Sequence, residues 1–356
     1  MVGKTITAGK KMKILKGILL IVGFVSWFAP KAVRAGEQRP VIVDASGKGD
    51  FKTITEAINS LPDSSATDRV ITIKNGTYHE KVFINKNHII LKGENEEKTI
   101  LTADIARDVW RCEGHTDDWG AATLNLRGND ITLQNLTIIN GYGFHHSQDT
   151  VINCMVNGGS STKTVSISGH QMALRSFQTT RLRVIHCSLR AFGGDTVSPW
   201  NGAAGLYYFK DCVMEGGVDF YCPRGWSYAE DCTFICHSKE AAIWHDGSKN
   251  QQQKTVLKNC TFKGDKGFKL GRYHLDAQFY LINCNFDDNM ADAAIYQAAS
   301  SKGVKWGERI YFYNCHRQGG DFAWLRNNLD AAPGSPLPQT ITAMWTMDNQ
   351  WDPLKN

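Results

Sequence analysis

At 356 residues the chain can bury a large core, and length alone allows one or two domains. Its formal charge of +5 originates in the first 35 residues, which hold seven Lys or Arg and no acid; without them the balance falls to −2. No concentrated basic patch remains, which argues against a nucleic acid partner.

Those first residues read as a secretory signal peptide. Lys4, Lys10, Lys11, Lys13 and Lys16 precede an apolar run over 17–30, and Ala32-Val33-Arg34-Ala35 puts small residues where a signal peptidase cuts. Cleavage after Ala35 is expected, giving a secreted or periplasmic protein with no other membrane segment. An uncleaved anchor is the alternative, and the run is short for one. Residues 36–356 read as one domain, since nothing divides them into two independent cores.

In chain order, Val41-Ile42-Val43-Asp44 reads as an opening strand and Gly47-Lys48-Gly49-Asp50 as a turn. Thr53-Ile54-Thr55-Glu56 is a capping-box pattern heading a short helix through Leu61, stopped by Pro62. Ile54, Ala57, Ile58 and Leu61 share one face of it, suited to plugging the open end of a solenoid. Val70 to Ile73, Val82 to Ile84 and Ile89 to Leu91 are short strands, with a turn at Asn75-Gly76. From Ala121 a strand-and-turn rhythm runs to about Trp324. Beyond it Pro333, Pro336 and Pro338 break the pattern, and a tail from about 326, carrying Trp345 and Trp351, is expected to pack on the outer wall.

Ten cysteines in an exported chain ordinarily suggest disulfides, but their setting argues for another role. Cys154, Cys187, Cys212, Cys232, Cys260 and Cys284 each follow Asn, His or Asp, all six preceding an apolar residue by two places; Asn314-Cys315 and Asn135-Leu136 extend the series. Side chains two apart in a strand share a face, so each cysteine faces inward with its partner. The 20 to 33 residue intervals match one coil of a solenoid with loops of varying length. An all-β, right-handed parallel β-helix is expected, with most cysteines free in an interior ladder. No Cys-x-x-Cys pair or Cys/His cluster has metal-ligand spacing, so no metal is expected.

One stretch conflicts with this apolar rhythm: Val218-Asp219-Phe220-Tyr221-Cys222-Pro223-Arg224-Gly225-Trp226. An acid among apolar and aromatic residues is costly to bury unless paired, protonated or used. Arg272 is a candidate partner, and Asp195 stands 24 residues earlier. The plainer reading is a structural acid bonded to backbone amides.

The chain resembles the pectin methylesterase family. Val43-Asp44 through Ile54 is similar to the family's opening, Gly76-Thr77-Tyr78-His79-Glu80 to its G-x-Y-x-E signature, and Gln171-Met172-Ala173-Leu174-Arg175 to its Q-A-V-A-L-R. Asp219-Phe220 through Cys232 resembles the D-F-I-F-G-N-A segment, and Leu270-Gly271-Arg272 repeats L-G-R. The resemblance implies a β-helix fold and hydrolysis of methyl esters of homogalacturonan (pectin), without metal or other cofactor. Asp219 would be nucleophile, Asp195 acid and then base, Arg272 the group that holds Asp219 ionised, and Gln171 an oxyanion donor.

Departures cluster near the same residues. Gly194-Asp195-Thr196-Val197 keeps the family's acid but has lost the glutamine before it, Tyr273-His274 stands for Pro-Trp, and Cys222-Pro223-Arg224 for Phe-Gly-Asn. The loop around Trp200-Asn201-Gly202 is three residues longer than usual. Gln148-Asp149-Thr150 spells the lost motif out of order. Loss of one oxyanion donor costs roughly 3–4 kcal/mol, for which Arg224, the Gly194 amide and His274 are candidate replacements. Trp200, Tyr221, Trp226 and Tyr273 are candidate sugar-stacking residues, or else cover the wall; Cys222 reads as packing. The alternatives are an esterase of altered acyl specificity, taking acetyl esters for example, and a carbohydrate-binding relative with weak catalysis. A monomer with a polysaccharide partner is expected.

Overall fold

The computed structural model describes residues 39–355 apart from 157–158 and 300–301; the signal segment lies outside them. The chain winds into a right-handed parallel β-helix with three walls. One wall contains Val82–Ile84, Ala122–Leu126, Met172–Phe177, Val197–Trp200, Ala241–His245, Lys269–Tyr273 and Tyr296–Gln297. The other two meet at a sharp corner and pair coil upon coil in parallel, as Val184 with Phe209 and Leu189 with Met214.

That corner explains the cysteine pattern. The residue before each ladder position has positive φ: Asn135, His186, Asp211, Asp231, Asn259, Asn283 and Asn314, all between 49° and 55°. Asn and Asp tolerate this left-handed conformation better than most residues, so they recur where the chain must turn. Asn283 donates to Asn259 and Asn314 to Asn283, at 3.1 and 3.0 Å, tying the corners together on the outside. Inside, Cys187, Cys212, Cys232, Cys260, Cys284 and Cys315 are free and buried, and Phe234, Phe262 and Phe286 stack beside them.

Cys154 departs from this series. It lies in an antiparallel hairpin, Thr150–Val156 with Gly159–Val165, and forms a disulfide with Cys112 in the helix Arg107–Cys112. The interior-ladder reading is corrected here: its local sequence matches the others, but the hairpin stands outside the coils and its sulfur meets another thiol.

The helix Ile54–Ser60 has the expected capping box and buries Ile54, Ala57 and Ile58. The G-x-Y-x-E stretch serves it directly, because Glu80 accepts from the backbone N–H groups of Ile54 and Thr55 at 2.8 and 3.0 Å. An acid at the positive end of a helix satisfies donors that have no partner within it. At the other end of the chain, Leu329, Ile341, Ala343 and Met347 pack with Tyr208, Trp226, Tyr228 and Tyr280 on the outside of the wall that starts with Val41–Val43. Among the described residues no helix is long and apolar enough to cross a membrane.

Candidate active site

The site is built by register. Val197 pairs with Tyr221, and Tyr221 with Ile243. Asp195 and Asp219 each stand two residues before the paired Val197 and Tyr221, so they are equivalent positions of adjacent coils, and neighbouring strands lie about 4.8 Å apart. Both have left-handed backbones, with φ of 60° and 54°. Arg272, on the strand Lys269–Tyr273, reaches Asp219 with Nε to Oδ1 at 3.0 Å and Nη2 to Oδ2 at 2.7 Å. His170 Nε2 stands 3.8 Å from Asp195 Oδ1.

Burial pushes the Asp219 carboxyl above its usual value. The bonds and charge of Arg272 oppose that rise, while the nearby Asp195 charge adds to it. Arg272 itself is raised by its bonds to Asp219 and stays a cation. An acid pair with one member clamped by a guanidinium is an arrangement in which two carboxyls take different protonation states.

Beside the pair lies a buried polar floor. Arg175 pairs with Ser198 in the parallel ladder, and its Nη1 donates to Ser198 Oγ at 2.5 Å and stands 4.0 Å from Asp195 Oδ2. Arg224 donates to the same hydroxyl at 2.8 Å, to the Cys222 carbonyl at 2.8 Å, and to Asp246. Trp200, 42% exposed, covers both guanidiniums, each 4.5 Å from its ring centre. Trp244 bonds Asp246 through its indole N–H at 2.8 Å, stacks with His274 and lies against Arg272.

Asp195, Asp219, Arg272, Arg224, Trp200 and His274 thus lie along one wall, whereas three other expected roles are corrected. Tyr221 is fully buried inside the solenoid with its hydroxyl on Ser227. Tyr273 faces the same core, packed on Phe279. Trp226 lies under the C-terminal tail and donates to Asp348 at 2.7 Å. Gln171 is fully buried, its Oε1 accepting from the Gly143 N–H and one of its two Nε2 hydrogens going to the Ile167 carbonyl, which leaves the second amide hydrogen uncommitted. The Gly194 N–H is committed to the Gly169 carbonyl at 2.9 Å. Asp149, of the out-of-order motif, accepts from Ser166 and Ile167 and holds the hairpin.

Glycine at 194 has a steric basis: a Cβ there would come 2.8 Å from the Val218 carbonyl. His170, Ser198, Trp244 and Asp246 went unnoticed in the sequence, and Arg175 was named in a motif but given no role. Arg175 carried the same signal as Asp219, a charge inside an apolar strand. Among the described residues no group of three or more His, Cys, Asp or Glu stands ready to hold a metal ion.

A family model described as Pectinesterase matches residues 40–281. The chain is 25% identical over 259 residues to the probable pectinesterase/pectinesterase inhibitor 58 of Arabidopsis thaliana, a match that covers 69% of this chain but only 40% of that relative. It is 30% identical over 298 residues to the putative pectinesterase 11 of the same plant, covering 78% and 71% of the two chains. Among solved structures, the pectin methylesterase from Erwinia chrysanthemi superposes with a TM-score of 0.66 at 22% identity, covering 88% of this chain and 98% of the other.

Proposed function

The chain belongs to the pectinesterase family, and from that premise we propose that it hydrolyses the methyl esters of homogalacturonan at Asp195 and Asp219. The observation that carries this reading is the two-bond clamp of Arg272 on Asp219, next to Asp195 on the adjacent coil. In the proposed cycle the Asp219 carboxylate attacks the ester carbonyl, forming a mixed anhydride with the galacturonate acyl group, and Asp195 gives its proton to departing methanol. Asp195 then takes a proton from water, which cleaves the anhydride, releases the galacturonate carboxylate and restores Asp219.

The oxyanion needs donors; the Gly194 amide is committed to the Gly169 carbonyl, and Gln171, fully buried, has a single uncommitted amide hydrogen. Arg224 is the proposed substitute, since its charge and that of Asp195 act on each other and a guanidinium stabilises negative charge well in a water-poor cleft. Trp200 would stack on a sugar ring, and His274 on the Trp244 face would border it. The mature protein would act outside the cytoplasm as a monomer.

Methanol release from highly esterified pectin tests the reading. Release that vanishes in Asp219→Asn supports it. Acetate release from acetylated pectin without methanol would redirect it to another acyl group, and release of neither would leave a binding protein.

A further inference from the structure

A polar cavity that shares no lining residue with the acid pair lies between the C-terminal tail and the wall strands Thr255–Lys258 and Phe279–Ile282. It encloses about 320 Å³, within the range of small-ligand sites. Lys254, Gln278, Tyr280, Arg309 and Trp345 line it, with Gln252 exposed at the rim.

Its charge is unbalanced. Lys254 is neutralised by Asp348, which also receives the Trp226 indole. Arg309 has no such partner: it is 6% exposed, its Nη1 goes to the Gln251 carbonyl and Gln278 Oε1, and its Nε and Nη2 are buried without a protein acceptor. Asp276, the acid whose field it feels, spends both oxygens on the Lys305 and Trp306 amides at 3.0 and 2.7 Å. Burial accordingly lowers the Arg309 pKa. Asp276 and the Trp306 ring, 5.1 Å from the guanidinium, offset its charge in part, but a buried cation with two N–H groups unpaired remains costly, and an anion in the cavity would reduce that cost.

The rest of the lining suits a sugar. Trp345 is half-buried, perpendicular to Tyr280 at 5.2 Å and with the Lys254 ammonium 5.0 Å from its ring centre, and it is an aromatic ring of the kind that sugar ring carbons stack on. Side-chain amides of Gln251, Gln252, Gln278 and Asn349 bring both donors and acceptors, as hydroxyls require. The segment 246–254 joins the two regions, since Asp246 pairs with Arg224 while Lys254 lines the cavity.

We propose that this cavity is a secondary binding site for an acidic sugar unit, a hexuronate with a free carboxylate, which anchors the polysaccharide away from the acid pair. The choice of a uronate polymer rests on the proposed function. The geometry of the cavity and its unpaired cation do not.

Calorimetry with fully de-esterified trigalacturonate, using the Asp219→Asn chain, tests it. Trp345→Ala and Gln252→Glu remove the stacking face and put a repelling charge at the exposed rim, leaving Arg309 untouched. Each variant is expected to lose one binding event per chain, or weaken it about tenfold or more, as removal of a charge-assisted or stacking contact does. A neutral trisaccharide should not bind there. Unchanged binding in both variants overturns the proposal, and so does acetate binding as tightly as the trisaccharide, which would mean a bare anion site. Methanol release by the unmutated active chain is scored separately. A chain with the expected binding losses but no methanol release retains the sugar site and loses the esterase reading, whereas normal release with unaltered binding overturns the site alone.

Discussion

Arg272 holds both carboxylate oxygens of Asp219, at 3.0 and 2.7 Å, across 53 residues of sequence. Burial raises the Asp219 pKa and these bonds oppose the rise. A nucleophilic carboxylate must be ionised, so activity falls as pH drops through the folded-state pKa, which lies above the usual value of 3.8. In Arg272→Gln the opposing bonds go, the pKa rises further, and the acidic limb of the kcat/KM profile moves to higher pH. The plateau should also fall about 100-fold, as for a reactive group out of position. A pH profile with an unmoved limb would show that Arg272 does not keep Asp219 ionised.

Arg224 is expected to matter for turnover. Arg224→Ala should lower kcat by about 100-fold or more if it supports the oxyanion, and His274→Ala should cost less. The substitution also strands Asp246, so a thermal melt belongs beside the kinetics, with Asp246→Asn as the comparison. Restoring glutamine at 194 should not rescue activity, because its Cβ would press on the Val218 carbonyl. Near-full turnover in Arg224→Ala ends the compensation idea.

Glu215 links stability to acid. Burial would raise its carboxyl, but the bonds from His237 and Arg190 outweigh burial and hold it at about 2 against the usual 4.5. Being depressed, it contributes stability that is fully present above 4.5 and is lost as pH falls toward 2. Urea unfolding midpoints measured across that window should drop more steeply for the unmutated chain than for Glu215→Gln. Parallel slopes would mean that the pairing contributes nothing net.

The thiols give a direct count. Eight cysteines are free and buried, and Cys112 and Cys154 are joined. A thiol reagent should label almost none in the native protein, eight after denaturation without reductant, and ten after reduction. Ten labelled without reductant would exclude the Cys112–Cys154 bond.

Local rules made much of this legible in the sequence. The capping box at Thr53, the Asn, Asp or His before each ladder cysteine and the two-residue alternation are each settled within a few residues, and they appear in the fold as read. The 24-residue step from Asp195 to Asp219 equals the step from Val197 to Tyr221, so one coil length suffices to bring the acids to equivalent positions. What the tertiary structure alone decided is which residues each side chain meets. Tyr221 and Tyr273 turn inward, Trp226 is roofed by a tail more than 100 residues later in the chain, Cys154 meets Cys112 outside the coils, and Gln171 braces the backbone at Gly143 and Ile167. Strand alternation assigns a residue to a face, but whether that face meets solvent, core or a returning segment depends on distant chain, and on that question the local sequence is silent.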